Sequence, residues 1–421
     1  MSVLEEDERE VSVKESERQP SIIAFFGHFD STNFGNESSL QAMLYNLRTF
    51  EPDAKVFCIS TGPKATSATH NISAIPVAES LITFWHPRSQ VSKVLRRICI
   101  AVPTEAYRWV SSFVRLRHTD MLIVPGTGLL TDAYGFSGWG PYTLLRWSVI
   151  AKLCGCKLFF VSVGAGPIYS ALGRWFIKFI LSLAHFRSYR DDTTLQYLKS
   201  IGFCTDNDSV YPDLAFSLPE TVIPRASTTQ NRRCVVGIGV MGYAGKYSAA
   251  NPADDTHGNY LDNLAIFAQW LLARGYEIRL LIGDLDDTNT ITQFKELLRA
   301  RISLCEQEHI VDRQIHSVDH LLSEIVATDI VVATRFHNVL LSLFCNKPVI
   351  SISFHHKCTS LMSDMGLSRY CLDINDFKTD DLIDRFRDIQ DDYGNIKAAI
   401  GDKTREFRAA LNEQYKCIFE N

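Results

Sequence analysis

Short apolar runs recur along the chain, each ending in a glycine-bearing or polar turn and each followed by a segment of helical period. Ile22-Ile23-Ala24-Phe25-Phe26, Val56–Ser60, Met121–Val124 and Lys157–Val163 are such runs, rich in β-branched and aromatic residues. Runs without polar alternation are expected of parallel strands covered by helices on both faces. The turns after them are Gly27–Asn36, Pro125-Gly126-Thr127-Gly128 and Gly164-Ala165-Gly166-Pro167, and the first leads into a helix expected from about Ser38 to Phe50. Strands that feed glycine turns and then helices predict a parallel, doubly wound α/β sheet.

The pattern starts again after a polar linker. Cys234–Val240, Glu277–Ile282, Asp329–Ala333 and Pro348–Ser351 read as strands, with a loop over Gly242–Gly258 and a helix from about Asn259 to Arg274 closed by Gly275. The chain therefore divides into an acidic tail over 1–20, an N-terminal Rossmann-like domain over 21–224, a linker over 225–233, a C-terminal Rossmann-like domain over 234–379, and helices over 380–421. The tail is rich in Glu and poor in aromatics, a composition that does not support a core. Two α/β halves leave a cleft between them, a favoured place for ligands.

Composition narrows the partners. A net charge of -5 with 46% hydrophobic and 22% charged residues fits a soluble globular protein and gives no basic footprint for nucleic acid. Arg146, Lys152, Lys157, Arg174 and Lys178 interrupt the most apolar regions, so no transmembrane helix is expected. Of 11 cysteines only Cys154 and Cys156 lie close together, which is not zinc-site spacing; reduced thiols, a cytoplasmic location and no metal are the expectation. Between Arg88 and His118, Arg96, Arg97, Arg108, Arg115 and Arg117 alternate with Trp109 and Phe113. Amphipathic helices account for this pattern, and a surface resting on anionic lipid is the alternative.

The chemistry concentrates at strand ends. Thr334-Arg335-Phe336-His337-Asn338 places a guanidinium and an imidazole two residues apart, between a buried strand and the apolar helical run Val339–Phe344. In open α/β sheets that carboxyl edge, where helix N-termini point unpaired N–H groups outward, is where ligands bind, and such a pair suits an anion. A lone histidine beside an apolar helix is commonly a core residue, but Arg335 needs an anionic partner to justify its desolvation and shifts the reading toward a site. Arg190 opens the helix that ends at Ser200-Ile201-Gly202; it is either a surface ion pair, with Asp191 or Thr193 as N-cap, or a bidentate grip aimed into the cleft. Asp213 would orient an arginine or cap a turn. His355, His356 and Lys357 add cationic and proton-carrying groups on the same edge, whereas His28, His86 and His118 read as surface residues.

In the first loop Asn33, Gly35, Asn36 and Glu37 are candidates for ligand contact, against capping of the helix by Asn36 or Ser38. Its GxxxxG-like spacing lacks the Lys-Ser/Thr of a P-loop, so NTP hydrolysis is not expected. Gly126, Thr127, Gly128, Gly164 and Gly166 would let a ligand approach backbone N–H groups, although neither glycine turn is a dinucleotide fingerprint.

Taken in order, Asn33–Glu37, Pro125–Gly128, Val163–Ile168, Tyr189-Arg190-Asp191, Tyr211-Pro212-Asp213, Arg335-Phe336-His337 and Lys347–Ile350 resemble the polysaccharide pyruvyl transferase family, from Ile22 to about Asp373. The resemblance implies two Rossmann-like doubly wound domains in a glycosyltransferase-B-like arrangement. It implies transfer of pyruvate from phosphoenolpyruvate to two hydroxyls of a saccharide as a cyclic ketal, in polysaccharide or exopolysaccharide biosynthesis. Donor binding would fall to Arg190, Arg335 and His337, with His337 also moving protons, and phosphoenolpyruvate would be a co-substrate with no further cofactor. The acceptor would be an oligosaccharide or a lipid-linked saccharide, the latter compatible with peripheral membrane contact.

Two departures from the family pattern fall on the acceptor side. Asn36 stands where the family has Asp in Asn-x-Gly-Asp-Glu, and Gly126-Thr127-Gly128 replaces Gly-Gly-Gly. Trp85-His86-Pro87-Arg88 and Tyr134–Gly140 carry aromatics suited to stacking on sugars, or to packing within their own loops. The rival readings are a nucleotide-sugar glycosyltransferase, with Glu324 or Asp329 as its ribose carboxylate, and a non-catalytic saccharide-binding protein.

Overall fold

Unbroken apolar strands end up buried on both faces, as their sequences require, in two separate parallel sheets. The computed structural model describes residues 20–30, 32–79, 100–133, 135–136, 140–224, 233–242 and 256–420. The first domain runs β1 (Ile22–Gly27), α1 (Phe34–Phe50), β2 (Lys55–Ser60), α2 (Pro63–His70), β3 (Ser73–Pro76), α3 (Val102–Leu116) and β4 (Met121–Pro125). It continues through α4 (Pro141–Leu153), β5 (Lys157–Val163), α5 (Ala171–Leu183), β6 (Phe186–Tyr189), α6 (Asp192–Ser200) and β7 (Ser209–Val210). Its seven strands lie in the order β3-β2-β1-β4-β5-β6-β7, and every pairing is parallel.

The second domain repeats the plan. It holds β8 (Val235–Gly239), α7 (Thr256–Leu272), β9 (Glu277–Leu281), α8 (Thr288–Arg299), α9 (Leu304–Gln307), β10 (Ile310–Val311) and α10 (Val318–Val326). Then follow β11 (Ile330–Ala333), α11 (Phe336–Phe344), β12 (Val349–Ser353), α12 (His356–Asp364) and β13 (Cys371–Asp373). The strand order is β10-β9-β8-β11-β12-β13, again parallel throughout. Each sheet reverses its winding beside its first strand, between β1 and β4 and between β8 and β11. Ligands of doubly wound folds bind outside the carboxyl ends of the strands at such switch points.

Helix starts depart from the expected ones where a side chain wins the cap. α1 begins at Phe34 rather than near Ser38, because the Asn33 side chain accepts from the N–H groups of Gly35 and Asn36. The cap is thus neither Asn36 nor Ser38. At α6 the choice between Asp191 and Thr193 falls to Asp191, whose carboxylate accepts from the Thr194 N–H at 2.6 Å. The second-domain helix expected from Asn259 starts at Thr256, and Gly275 beyond its end takes φ +81°, a left-handed conformation that favours glycine. Residues 1–19 of the tail, 225–232 of the linker and 243–255 of the following loop lie outside the described residues.

The helices after residue 379 go to different domains. α13 (Thr379–Asp391) stays on the second, where Phe386 meets Phe267, Trp270 and Tyr276 edge-on. α14 (Tyr393–Phe419) crosses back to the first: Gln414 Nε2 donates to Ser188 Oγ at 2.6 Å and Ser162 Oγ at 3.1 Å, and Arg408 Nη1 donates to the carbonyls of Phe216 and Leu218. The Tyr415 and Ser217 hydroxyls share a further hydrogen bond at 2.7 Å. No helix among the described residues is long and apolar enough to cross a membrane.

Candidate functional site

On the first domain's side of the cleft, three loops converge at the carboxyl ends of β4, β5 and β6. Gly126 takes φ +39° and leaves no room for a side chain, since a Cβ there would lie 2.9 Å from Ser39 Oγ. Gly164 donates its N–H to the Thr127 carbonyl, which locks the two glycine turns together. Arg190, directly after β6, lies across Gly164 so closely that a Cβ would come within 2.8 Å of Nη2. The Arg190 side chain is 4% exposed. Its Nη1 is 3.6 Å from Asp213 Oδ2 and its Nε 3.5 Å from Asp191 Oδ2, while its guanidinium stacks over the Phe336 ring at 4.9 Å. Nε and Nη2 have no hydrogen-bond partner among the described residues.

Asp213 has both roles that its sequence position allows. Its Oδ1 accepts from the Ala215 N–H, capping the short 3-10 turn at Leu214–Ser217, and its Oδ2 faces Arg190. Burial pushes its carboxyl up, and the Arg190 guanidinium pulls it back. Asp213 lies 3.6 Å from Nη1, which leaves Nε and Nη2 as donors for another anion.

From the second domain, α11 carries Phe336 beneath Arg190 and His337 against α1. A Cβ on Gly35 would lie 1.9 Å from His337 Nδ1, so glycine is what lets the imidazole rest on the helix start. His337 Nε2 is buried without a partner among the described residues. Burial pushes the imidazole down to about 3, with Arg190, Lys357 and Arg335 adding repulsion, so the ring is neutral near pH 7. Lys357, in the first turn of α12, reaches toward the first domain: a Cβ on Gly128 would be 3.1 Å from its Nζ. Burial first and Arg190 second push that ammonium down to about 7. His355 caps α12 by accepting from the Lys357 N–H at 3.3 Å, and burial pushes it too down to about 3.

Arg335 is anchored differently from the sequence expectation of an open grip. Its Nε and Nη2 donate to Asp287 Oδ2 and Oδ1, both at 2.6 Å, and its Nη1 is 3.8 Å from Asp284 Oδ2. Asp284 in turn accepts from Asn33 Nδ2 at 2.8 Å, beside the Phe34 N–H to Gly283 carbonyl bond and the Leu285 N–H to Thr32 carbonyl bond. Arg335 therefore sits at the joint between domains, still near enough to His337 to repel its proton.

The structure brings Arg190, His337, Gly35, Gly128, Gly164 and Thr127 to one cleft. Thr127 Oγ1 is buried and has no hydrogen-bond partner among the described residues. A cavity of about 220 Å³ opens beside Arg190, walled further by Asp191, Asp213, Phe336, Lys357 and Asp364, while His337, Gly35 and the two glycine turns lie outside its lining. Other candidates go elsewhere. Glu37 turns away to meet His70 Nε2 at 2.7 Å, on a separate cavity of about 330 Å³ along α1. Gly166, at φ +82°, is a turn residue pressed on Tyr197. Asn36 is partly buried in the first turn of α1, where its N–H is taken by Asn33. His28 pairs with Asp30 at 3.2 Å and His118 is exposed.

Glu324 is bound to Arg279 and Arg313, and Asp329 accepts from the Val235 N–H. The aromatic loop Trp85–Arg88, with His86, lies outside the described residues, as do Tyr134, Ser137, Gly138 and Trp139. Sequence reasoning missed Asp284 and Asp287. Their signal is an acidic run at the carboxyl end of β9, the edge where functional loops gather.

A profile of the polysaccharide pyruvyl transferase family matches residues 33–356, a span that includes Arg190, Arg335 and His337. The amylovoran biosynthesis protein AmsJ of Erwinia amylovora is 18% identical over 427 residues, covering 93% of this chain and 97% of that protein. A putative UDP-N-acetylglucosamine 2-epimerase from Listeria monocytogenes superposes with a TM-score of 0.59 at 10% identity, over 94% of this chain and 97% of that one. A glycosyltransferase from Rickettsia africae gives 0.53 at 12% identity, over 96% and 100%. At such identities the structural likeness concerns the fold alone: two Rossmann-like domains in a glycosyltransferase-B-like arrangement.

Proposed function

The chain belongs to the polysaccharide pyruvyl transferase family, and from that premise we propose that it moves pyruvate from phosphoenolpyruvate onto two hydroxyls of a saccharide, making a cyclic ketal. The observation that carries this reading is the buried Arg190 guanidinium, whose Nε and Nη2 have no hydrogen-bond partner among the described residues, together with Nε2 of a neutral His337, which likewise has none among them. Phosphoenolpyruvate offers a phosphate and a carboxylate to that cationic wall, and Arg335, oriented by Asp287, adds its charge from the joint.

In the reaction one saccharide hydroxyl attacks the carbon bearing the phosphate and gives its proton to the neutral imidazole, and that proton passes to the enol CH2, which becomes a methyl group as positive charge develops on the attacked carbon. The C–O bond to phosphate then breaks, the second hydroxyl adds, and its proton leaves with inorganic phosphate. A neutral imidazole can take a hydroxyl proton and return it to carbon or phosphate. An adjacent dianion would raise its affinity for that proton. The buried donors of Arg190 meet the departing phosphate without reorganising.

Incubation with phosphoenolpyruvate and a panel of oligosaccharides, followed by mass spectrometry, tests this reading: a pyruvate ketal together with released phosphate is expected. A nucleotide sugar that raises the melting temperature when phosphoenolpyruvate does not would overturn it. The nucleotide-sugar reading has fold support, but of the carboxylates it would use Glu324 is bound to Arg279 and Arg313 and Asp329 accepts from the Val235 N–H.

A further inference from the structure

We infer that the outer face of α3 and α5 docks on an anionic lipid bilayer, so that the first domain rests on a membrane it does not cross. The inference goes beyond the proposed reaction and does not depend on it. α3 is amphipathic, as its sequence predicts, but it is inside out. Thr104, Ser112 and Leu116 are its buried residues, with Glu105 and Arg108 partly buried beside them. The opposite face presents Val102 and Val110, each 63% exposed, along with exposed Tyr107, Phe113 and Val114. A helix on a water-soluble fold turns its apolar stripe to the core. One that turns it outward among basic residues has the form of an interfacial helix, which sinks that stripe into the headgroup boundary.

α5 repeats the arrangement. Leu172, Trp175 and Phe179 stand at the i, i+3, i+7 spacing of one helical stripe and are all exposed, Trp175 to 55%. The Trp175 and Phe179 rings stack at 5.6 Å. α4 packs against both helices: Trp109 of α3 donates to the Tyr142 hydroxyl at 3.2 Å, and Phe176 of α5 meets the Tyr142 ring at 6.4 Å. The two stripes therefore flank one helix, and exposed apolar surface gathered in this way marks an interaction site.

Charge selects the occupant. α3, α4 and α5 carry Arg108, Arg115, Arg146, Lys152, Arg174 and Lys178 against Glu105 alone, in a chain whose net charge is -5. Glu105 is itself taken up by Arg108 and Arg146. Arg174 and Lys178 stand one residue before Trp175 and Phe179, so the α5 stripe is bordered by cations. A second copy of this face would set like charge against like, and a neutral apolar partner would leave the cations unmatched. Anionic headgroups over acyl chains answer both the charge and the apolar surface. Tyr169, also exposed, lies between the Gly164–Pro167 turn and α5, so the docking face begins beside the first domain's glycine turns. That placement suits a saccharide acceptor carried on a lipid, a consequence that, unlike the docking, rests on the function proposed above.

The test uses the full chain and sedimentation with vesicles of phosphatidylcholine, either alone or mixed with phosphatidylglycerol. Wild type should pellet with the anionic vesicles and much less with the neutral ones, and added salt should release it. Val110→Glu and Trp175→Glu should each weaken partitioning by about tenfold or more, the loss of one buried apolar side chain. Arg174→Gln should weaken it by about fivefold, the share of one cation near the surface. All three positions are exposed, so the melting temperature without vesicles should stay at the wild-type value. Equal binding by wild type and the two glutamate variants, equal binding to both kinds of vesicle, or binding to neither would overturn the inference. A wild-type dimer that both glutamate variants convert to monomer, with no vesicle binding, would assign the face to a second copy and overturn it as well. Vesicle binding needs no phosphoenolpyruvate, so its failure and a failure to form the pyruvate ketal are separate results.

Discussion

Two polar regions border the cleft, and they spend their hydrogen-bonding groups in opposite ways. At the start of α1 the conspicuous side chains are paired within the protein: Asn33 caps the helix and reaches Asp284, and Glu37 meets His70. On the wall made by Arg190 and His337, buried nitrogens have no partner among the described residues. A buried polar group left unmade costs about 1–3 kcal/mol, so the second arrangement is one that a fold keeps for a ligand. Asparagines and glycines at a strand end can therefore be a domain joint as readily as a binding loop. What separates the two is where the partners of each polar atom lie.

The contrast is broken most severely at His337. If its Nε2 handles the reacting protons, His337→Ala should lower turnover by ~10²–10⁴-fold while phosphoenolpyruvate binding changes less. Steady-state phosphate release, compared with donor binding, separates the two effects. The same variant tests the electrostatics of the wall. The folded ring is held down to about 3, below the ordinary value of 6.5, so between those limits the unfolded chain binds the extra proton and the native state does not. Stability from this group is therefore full above pH 6.5 and is lost as pH falls toward 3. His337→Ala should lose less of its melting temperature than wild type on acidification from pH 7 to 4. Parallel curves would mean the imidazole is not held neutral.

Gly35 lies where the two regions touch, and it tests whether the joint also positions the imidazole. Alanine should favour an exposed helix by ~1 kcal/mol over glycine. Here its Cβ would fall 1.9 Å from His337 Nδ1, so the ring or the helix must move. Gly35→Ala should reduce turnover by about tenfold or more, since a misplacement of about 1 Å can cost that much, and lower the melting temperature against its helical propensity. Unchanged kinetics would separate α1 from the chemistry.

Much of this was legible in the sequence, for a reason that also marks the limit. Parallel strands covered on both faces must be apolar without alternation, so β1, β5, β11 and β12 stand out, and the residues directly after them sit at the ligand edge. Arg335 and His337 follow from that rule, whereas Arg190 comes after β6, whose Phe186-Arg187-Ser188-Tyr189 is not an unbroken apolar run. The partner of Arg335 does not: Asp287 comes from the end of a different strand, and no periodicity connects residues 48 apart. The destination of α14 was hidden for a similar reason. An amphipathic pattern shows that a helix has an apolar face, not that Gln414 will reach Ser162 and Ser188 in the other domain.

Asn33 probes the joint without touching the reacting groups. Asn33→Ala removes a helix cap, worth ~1 kcal/mol with a range of about 0.5–2, and also leaves Asp284 without its cross-domain donor. A lower melting temperature is expected, together with a higher KM for phosphoenolpyruvate and a smaller change in kcat, because the loop aligns the two walls rather than the proton path. A kcat loss as large as that of His337→Ala would place Asn33 in the chemistry and dissolve the contrast between the regions.

The smallest expected effect bears on the departure at position 36. Asn36 occupies the first turn of α1, where unpaired N–H groups make an anionic side chain favourable, and its own N–H is already capped by Asn33. Asn36→Asp should therefore raise stability by ~0.3–1 kcal/mol through the helix dipole, an effect that weakens with added salt. If the family's Asp acts only in this way, the substitution leaves turnover unchanged and its benefit vanishes at high ionic strength. If turnover instead rises with a saccharide acceptor, a carboxylate at the head of α1 meets the acceptor hydroxyls. The start of α1 would then belong to the binding wall as well as to the joint.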